Sequence, residues 1–323
     1  MGTTKLQTSK LTSQTKVSVK KRFTFMKALK NHWQLYLLFC LPLLYVIVFK
    51  YVPMYGAIIA FKNFDPTLGI WGSPWVGLDN FIKFIHSYEF GRVLKNTLLL
   101  SLYHLIAGFP FPIILALSLN YVYRKRFKKF AQMITYAPHF ISVVVIVGII
   151  LLFLSPRGPF SQVLSLFGVH NVDIMGEPSL FKSIYVWSDI WQNVGFGCII
   201  YLAALTGVSP SLHEAAIIDG ASILKRIWHI DIPGILPTTI ILLILNMGSI
   251  LDTGFQKVLL LQNSLNLSSS EVIDTFVYKV GLVAPIPQYS YAAAIGFFKA
   301  AIAFVLIIGA NRLARKVGQE SLW

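Results

Sequence analysis

Residues 212–233 read LHEAAIIDGASILKRIWHIDIP, a charged segment lodged between two long apolar runs, 183–213 and 232–251. Ser209-Pro210-Ser211 opens it, and Ser211 with Glu214 has the spacing of a capping box, in which the glutamate side chain returns to the backbone at the cap. Gly220 marks a break, because glycine weakens a helix by about 1 kcal/mol relative to alanine. Beyond it Ile223, Leu224, Ile227 and Trp228 recur at helical spacing, and Pro233 stands where the next helix should begin. The segment predicts two short helices lying along one face of a membrane. Taken by itself it fits equally well an interfacial amphipathic helix that rests on lipid.

The sequence on either side sets the class. Hydrophobic residues make up 55% of the 323 positions and charged ones only 13%, with 24 Phe, 14 Tyr and 7 Trp, which excludes an ordinary soluble domain. A membrane helix needs about 20 mostly apolar residues to cross roughly 30 Å of hydrocarbon. Residues 96–123 and 130–156 carry no Asp, Glu, Lys or Arg, and neither do 31–49 and 232–251. The run 183–213 is interrupted only by Asp189, and 280–311 only by Lys299. These six runs predict helices near 33–60, 95–122, 131–154, 183–206, 233–256 and 289–311 within a membrane domain over 31–311. They are continuously apolar, whereas barrel strands alternate over about ten residues, so the fold class is all-α integral membrane.

Orientation follows from Lys and Arg in the connections. The arm over 1–30, the RKRFKK loop at 124–129, the 207–232 segment and the tail over 312–323 together hold 18, against nine on the other side. Both termini and 207–232 are therefore expected in the cytoplasm. The formal charge of +15 is then topological and lipid-directed, and no nucleic-acid recognition motif accompanies it. The Lys-, Thr- and Ser-rich arm reads as disordered, and the apolar run begins too late for a cleaved signal peptide.

Glu214-Ala215-Ala216, three residues, Gly220, nine residues, Ile230, one residue and Ile232-Pro233 resemble the EAA loop of permease subunits of binding-protein-dependent ABC importers. The family pattern has Leu before the last Pro, and Ile232 keeps that apolar character. The likeness extends over about 30–315. WVGLDNF at 75–81, Asn96-Thr97 and YLAAL at 201–205 resemble the carbohydrate branch; KYVPMYGAIIAFKNF at 50–64, VIDTFVY at 272–278 and GFFK in the last helix resemble its complex-oligosaccharide subgroup. The resemblance implies a six-helix type I importer permease, half of a pore with a second permease of different sequence. It implies a cytoplasmic ABC ATPase dimer and an extracellular solute-binding protein as partners, and a bacterial cell membrane as the location. Glu214, Ala215, Ala216, Asp219 and Gly220 would carry the ATPase contact. No G-x-x-x-x-G-K-[ST] loop occurs in the chain, so ATP and Mg would be bound by the partner and no cofactor by this subunit.

Ionisable residues within the membrane default to functional candidates, here Asp189, Asp252 and Lys299. Lys299 could instead lock one of the acids as a structural pair. For a sugar path the useful chemistry is an aromatic face beside hydroxyl-binding polar groups, which Trp187, Asp189, Trp191, Gln192 and Asn193 supply on one helix. Asn246, Asp252 and Phe255 in the fifth helix fall where the resemblance puts the cavity of sugar permeases. The histidines form no metal-ligand cluster in sequence, and no nucleophile triad or carboxylate pair supports catalysis. The rival reading is an ion-coupled secondary transporter, whose inverted repeats are not evident.

Overall fold

A computed structural model describes residues 32–168 and 173–316; the 1–30 arm and the tail beyond 316 lie outside the described residues. The chain divides at Gly56 into two units. In the first, α1 (Trp33–Val46) contains Pro42 and runs through a π turn at Ile47–Tyr51 into a short helix, Val52–Tyr55. None of the residues in these three pieces is buried within the chain. A helix apolar on every side is a lipid-facing or partner-facing element.

The second unit is built around α6 (Pro178–Thr206), 29 residues long and started by Pro178, whose missing N–H costs nothing at a helix N-terminus. Phe181, Tyr185, Val186, Ile190, Cys198, Tyr201 and Leu205 are buried on it at helical spacing. Against this stripe pack α2 (Tyr88–Gly108), α3 (Pro110–Asn120), α4 (Lys125–Tyr136) and, further along the chain, α9 (Ile232–Gly248). Lipid is as apolar as these side chains, so close van der Waals fit holds the bundle together. A separate packed cluster, Phe84, Val93, Ile273, Phe276, Tyr291 and Ile295, joins the short helix Asp79–Ile85 to α2, α11 (Ile273–Tyr278) and α12 (Tyr289–Lys316).

Several expected boundaries move. The second span starts at Tyr88 rather than 95, and α2 hands over to α3 at Phe109, where Pro110 cannot donate to the turn before it. The single helix expected over 131–154 is two. Amphipathic α4 runs into a 3-10 turn at Ala137–Phe140 containing Pro138, and α5 (Val143–Leu154) restarts at Ser142, whose hydroxyl accepts from the Val145 N–H at 3.4 Å. The helix expected over 233–256 ends at Gly248, and Phe255 begins a separate short helix, α10 (Phe255–Leu261). Gly254 stands at the start of α10: its φ of +59° is left-handed, and a Cβ there would lie 2.6 Å from the Tyr185 hydroxyl. The last helix continues past 311 to Lys316.

Candidate functional site

The 207–232 segment folds as two short helices, as its pattern predicts. Helix α6 turns by 75° into α7 (Pro210–Ile218), and after Gly220 comes α8 (Ile223–Arg226), which continues through a π turn at Ile227–Asp231 into α9. Gly220 has φ +74°; the Ala221 N–H reaches the Ala216 carbonyl at 2.8 Å and the Gly220 N–H the Ile217 carbonyl at 3.0 Å, closing α7 on a left-handed residue. Glu214, Ala215, Asp219 and Gly220 are exposed and Ala216 is half-buried. The capping box is not formed. Pro210 starts the helix two residues early, so Ser209 becomes the N-cap, and the Ser211 hydroxyl meets that of Ser209 at 2.8 Å. Leu212, Ile217, Ile218, Leu224 and Trp228 give the segment an exposed apolar surface.

Residues that no sequence motif singled out anchor this segment. Asp231 is fully buried; Tyr121, just past α3, donates its hydroxyl to Oδ2 at 2.6 Å, and His213 Nε2 on α7 lies 3.3 Å from Oδ1. The Arg226 guanidinium sits 5.4 Å from the centre of the Tyr121 ring. Burial, reinforced by the hydrogen bond to Asp231, raises the Tyr121 hydroxyl above its ordinary range.

A second centre forms around Asp189 on α6. Its Oδ2 accepts from His104 Nε2 on α2 at 2.8 Å and from Asn193 Nδ2 at 3.1 Å, and its Oδ1 accepts from Lys257 Nζ on α10 at 3.1 Å. Asn193 Oδ1 in turn faces His139 Nδ1 at 3.0 Å, and the His139 ring stacks on Phe196 at 4.1 Å. Lys257 is almost fully buried, with its ammonium 5.3 Å from the centre of the Tyr185 ring. Three cavities meet at Asp189: one of about 290 Å³ reaching Asn193 and Asn246, one of about 210 Å³ reaching Asn246 and Asp252, and one of about 650 Å³ onto which Lys257 opens. Asp189, Asn193, Asn246, Asp252 and Phe255 thus line neighbouring spaces.

Lys299 takes the acids as partners, but not Asp189. Its Nζ lies 2.8 Å from Asp252 Oδ1 and 2.7 Å from Asp274 Oδ1. Asp274 was visible in VIDTFVY but carried no signal of its own, because it reaches Lys299 only once α11 packs on α12. Trp187 and Trp191 line none of the three cavities at Asp189. The Trp187 indole donates to the Tyr103 hydroxyl at 3.1 Å and meets Phe111 edge-on, while Trp191 is 54% exposed on the same face of α6. Gln192 points to the opposite side, toward the Ile141 carbonyl at 3.3 Å.

Five described helices are long and apolar enough to cross a membrane, and a sixth if the bent pair α6–α7 counts as one span; with apolar side chains exposed along them, they define a multi-pass helical membrane protein. Residues 108–319 match the family described as binding-protein-dependent transport system inner membrane component, and the chain belongs to that family. It is 42% identical over 304 residues to Protein LplB of Bacillus subtilis (strain 168), covering 94% of this chain and 95% of the relative. It is 43% identical over 290 residues to the polygalacturonan/rhamnogalacturonan transport system permease protein YteP of the same organism, covering 90% of each. Among solved structures, a chain of a bacterial ABC transporter involved in the import of the acidic polysaccharide alginate superposes with a TM-score of 0.83 at 38% identity, covering 91% of this chain and 99% of that one. A second crystal structure, of the alginate transporter with alginate pentasaccharide-bound periplasmic protein, gives 0.83 at 37%. The fold is that of a type I ABC importer permease.

Proposed function

We propose that this subunit forms half of the translocation path of an ATP-driven importer for oligosaccharide in a bacterial cell membrane, with both termini and 207–232 in the cytoplasm. The observation that carries the reading is mechanical. One unbroken helix, α6, bears the Asp189 centre in its middle and turns by 75° into the exposed EAA-type helix α7 at its end. From Asp189 to Thr206 is about 26 Å of helix at 1.5 Å per residue. A rigid rod of that length passes movement at the cytoplasmic face to the centre of the membrane.

In this reading a cytoplasmic ATPase dimer binds ATP and Mg and seats Glu214, Ala215, Ala216, Asp219 and Gly220, with the apolar side chains of 212–228 filling its cleft. A second permease of different sequence completes the pore, and an extracellular solute-binding protein delivers the substrate. Asp189, Asn193, Asn246, Asp252 and Phe255 line the path. Trp187 and Trp191, lying on the exposed face of α6, contribute their aromatic faces where the second permease closes around it. Lys299 holds α12 to the acids beside the path.

The experiment is affinity purification of the subunit from native membranes in mild detergent, followed by ATPase and uptake assays in proteoliposomes. We expect a P-loop ATPase and a second permease in stoichiometric amount. Gly220→Val should cut uptake at least tenfold while leaving the subunit in the membrane, because valine at φ +74° strains the α7–α8 junction by about 1–2 kcal/mol. Recovery of the subunit alone, active with an ion gradient and no ATP, would overturn the proposal in favour of a secondary transporter.

A further inference from the structure

Resting on the oligosaccharide reading, we infer that Lys257 and Asp189 form an exchangeable latch in which Lys257 leaves Asp189 to take a carboxylate of an acidic oligosaccharide. The geometry is asymmetric. Asp189 is held by three donors from three sources: His104, Asn193 and Lys257. Losing the lysine leaves it with two, both on Oδ2. Lys257 has no second carboxylate within pairing distance among the described residues; its other neighbour is the Tyr185 ring. A nearly buried ammonium that loses its anionic partner is left as an uncompensated charge, which costs far more than a broken surface pair. If Lys257 moves, no other carboxylate among the described residues stands within pairing distance to replace Asp189, and a carboxylate on the entering substrate would fill that place.

The surroundings fit that exchange. Lys257 sits on a seven-residue helix launched from left-handed Gly254, outside the long packed helices. The cavity of about 650 Å³ beside it is lined also by Gln192, Asn193, His139 and Ser142, groups suited to sugar hydroxyls next to a carboxylate. A lysine is a compact charge that pivots on a flexible stem, so it changes partner more readily than an arginine held by two parallel bonds. Asp189 thus stands where the substrate's carboxylate will stand, and keeps the empty site neutral.

The test is uptake, in proteoliposomes of the whole transporter with its binding protein, of a short oligogalacturonate against its methyl ester of the same length. The same binding protein feeds every variant, so its own preference cancels when the acid-to-ester ratio of a variant is divided by that of the wild type. Lys257→Gln should lower the ratio by about tenfold. Lys257→Arg and Asp189→Asn should hold it at or above the wild-type value. The neutral pair Asp189→Asn with Lys257→Gln removes both charges together, which also covers the case in which Lys257→Gln alone fails to assemble: under the latch the ratio stays low, whereas recovery of wild-type ratio and rate means a static lock and overturns the inference. An unchanged ratio in Lys257→Gln overturns it as well. A wild type that moves ester as fast as acid overturns the latch and leaves oligosaccharide import standing; one that moves neither, while its ATPase responds to another solute, overturns both.

Discussion

Asp231 shows how much of the 207–232 segment depends on one side chain. It is fully buried where the π turn meets α9, and its two oxygens are divided between the Tyr121 hydroxyl and His213. Asp231→Ala would strand both partners and should destabilise the subunit by about 3 kcal/mol, whereas Tyr121→Phe removes one hydrogen bond, worth about 1–2 kcal/mol. The pH dependence has a definite sign. The folded protein holds the Tyr121 proton more tightly than the unfolded chain does, so the contribution is complete below about pH 10 and is lost as pH rises through the raised value. Thermal unfolding of the detergent-solubilised protein should therefore show the same gap between wild type and Tyr121→Phe at pH 6 and pH 9. A gap that opened or closed between those values would mean that another group titrates against this hydroxyl.

Among the elements, the α6–α7 pair carries the proposed coupling, because the 75° turn fixes which face of α7 is presented outward. One alanine inserted between Leu212 and His213 rotates the rest of α7 by about 100° relative to its start. That takes His213 away from Asp231 and turns Ala215 and Ala216 off their present face. Uptake should fall to background while the subunit still reaches the membrane, and ATPase activity should no longer respond to loaded binding protein. Normal stimulation by that insertion variant would refute the idea that a specific face of α7 transmits the signal. Helices α4 and α5 show a different effect. The charge-free run over 130–156 reads as one span, but Pro138 diverts the chain into a 3-10 turn that carries His139 across to Asn193. Composition cannot distinguish a straight apolar helix from a broken one, because both bury the same atoms in lipid. Proline shows where a break can fall; only packing against α6 shows that it does.

Across the whole molecule, topology is the testable property. Cysteine introduced at Arg126, in the basic stretch at the start of α4, should react with a membrane-impermeant maleimide only from the cytoplasmic side, and cysteine at the exposed Ser264 only from outside. Labelling of both from the same side of sealed vesicles would overturn the orientation deduced from Lys and Arg. Native Cys40 and Cys198 are free thiols, exposed and buried respectively, so the assay needs a background in which Cys40 is replaced.

The sequence by itself determined the class, the apolar runs and the EAA-type segment, because these depend on local composition and on spacings within a few turns of chain. Glycine at 220 announced the break between the two short helices, since glycine weakens a helix, and the structure gave that break its left-handed conformation. The charge pairing was decided only by the tertiary structure. Lys257 is 68 positions from Asp189, and Lys299 is 25 from Asp274. The same holds for His104 at Asp189 and for Tyr121 and His213 at Asp231. Helical periodicity says which way a side chain points from its own axis, but which helix stands opposite depends on how the whole bundle packs, and no spacing within one segment encodes that.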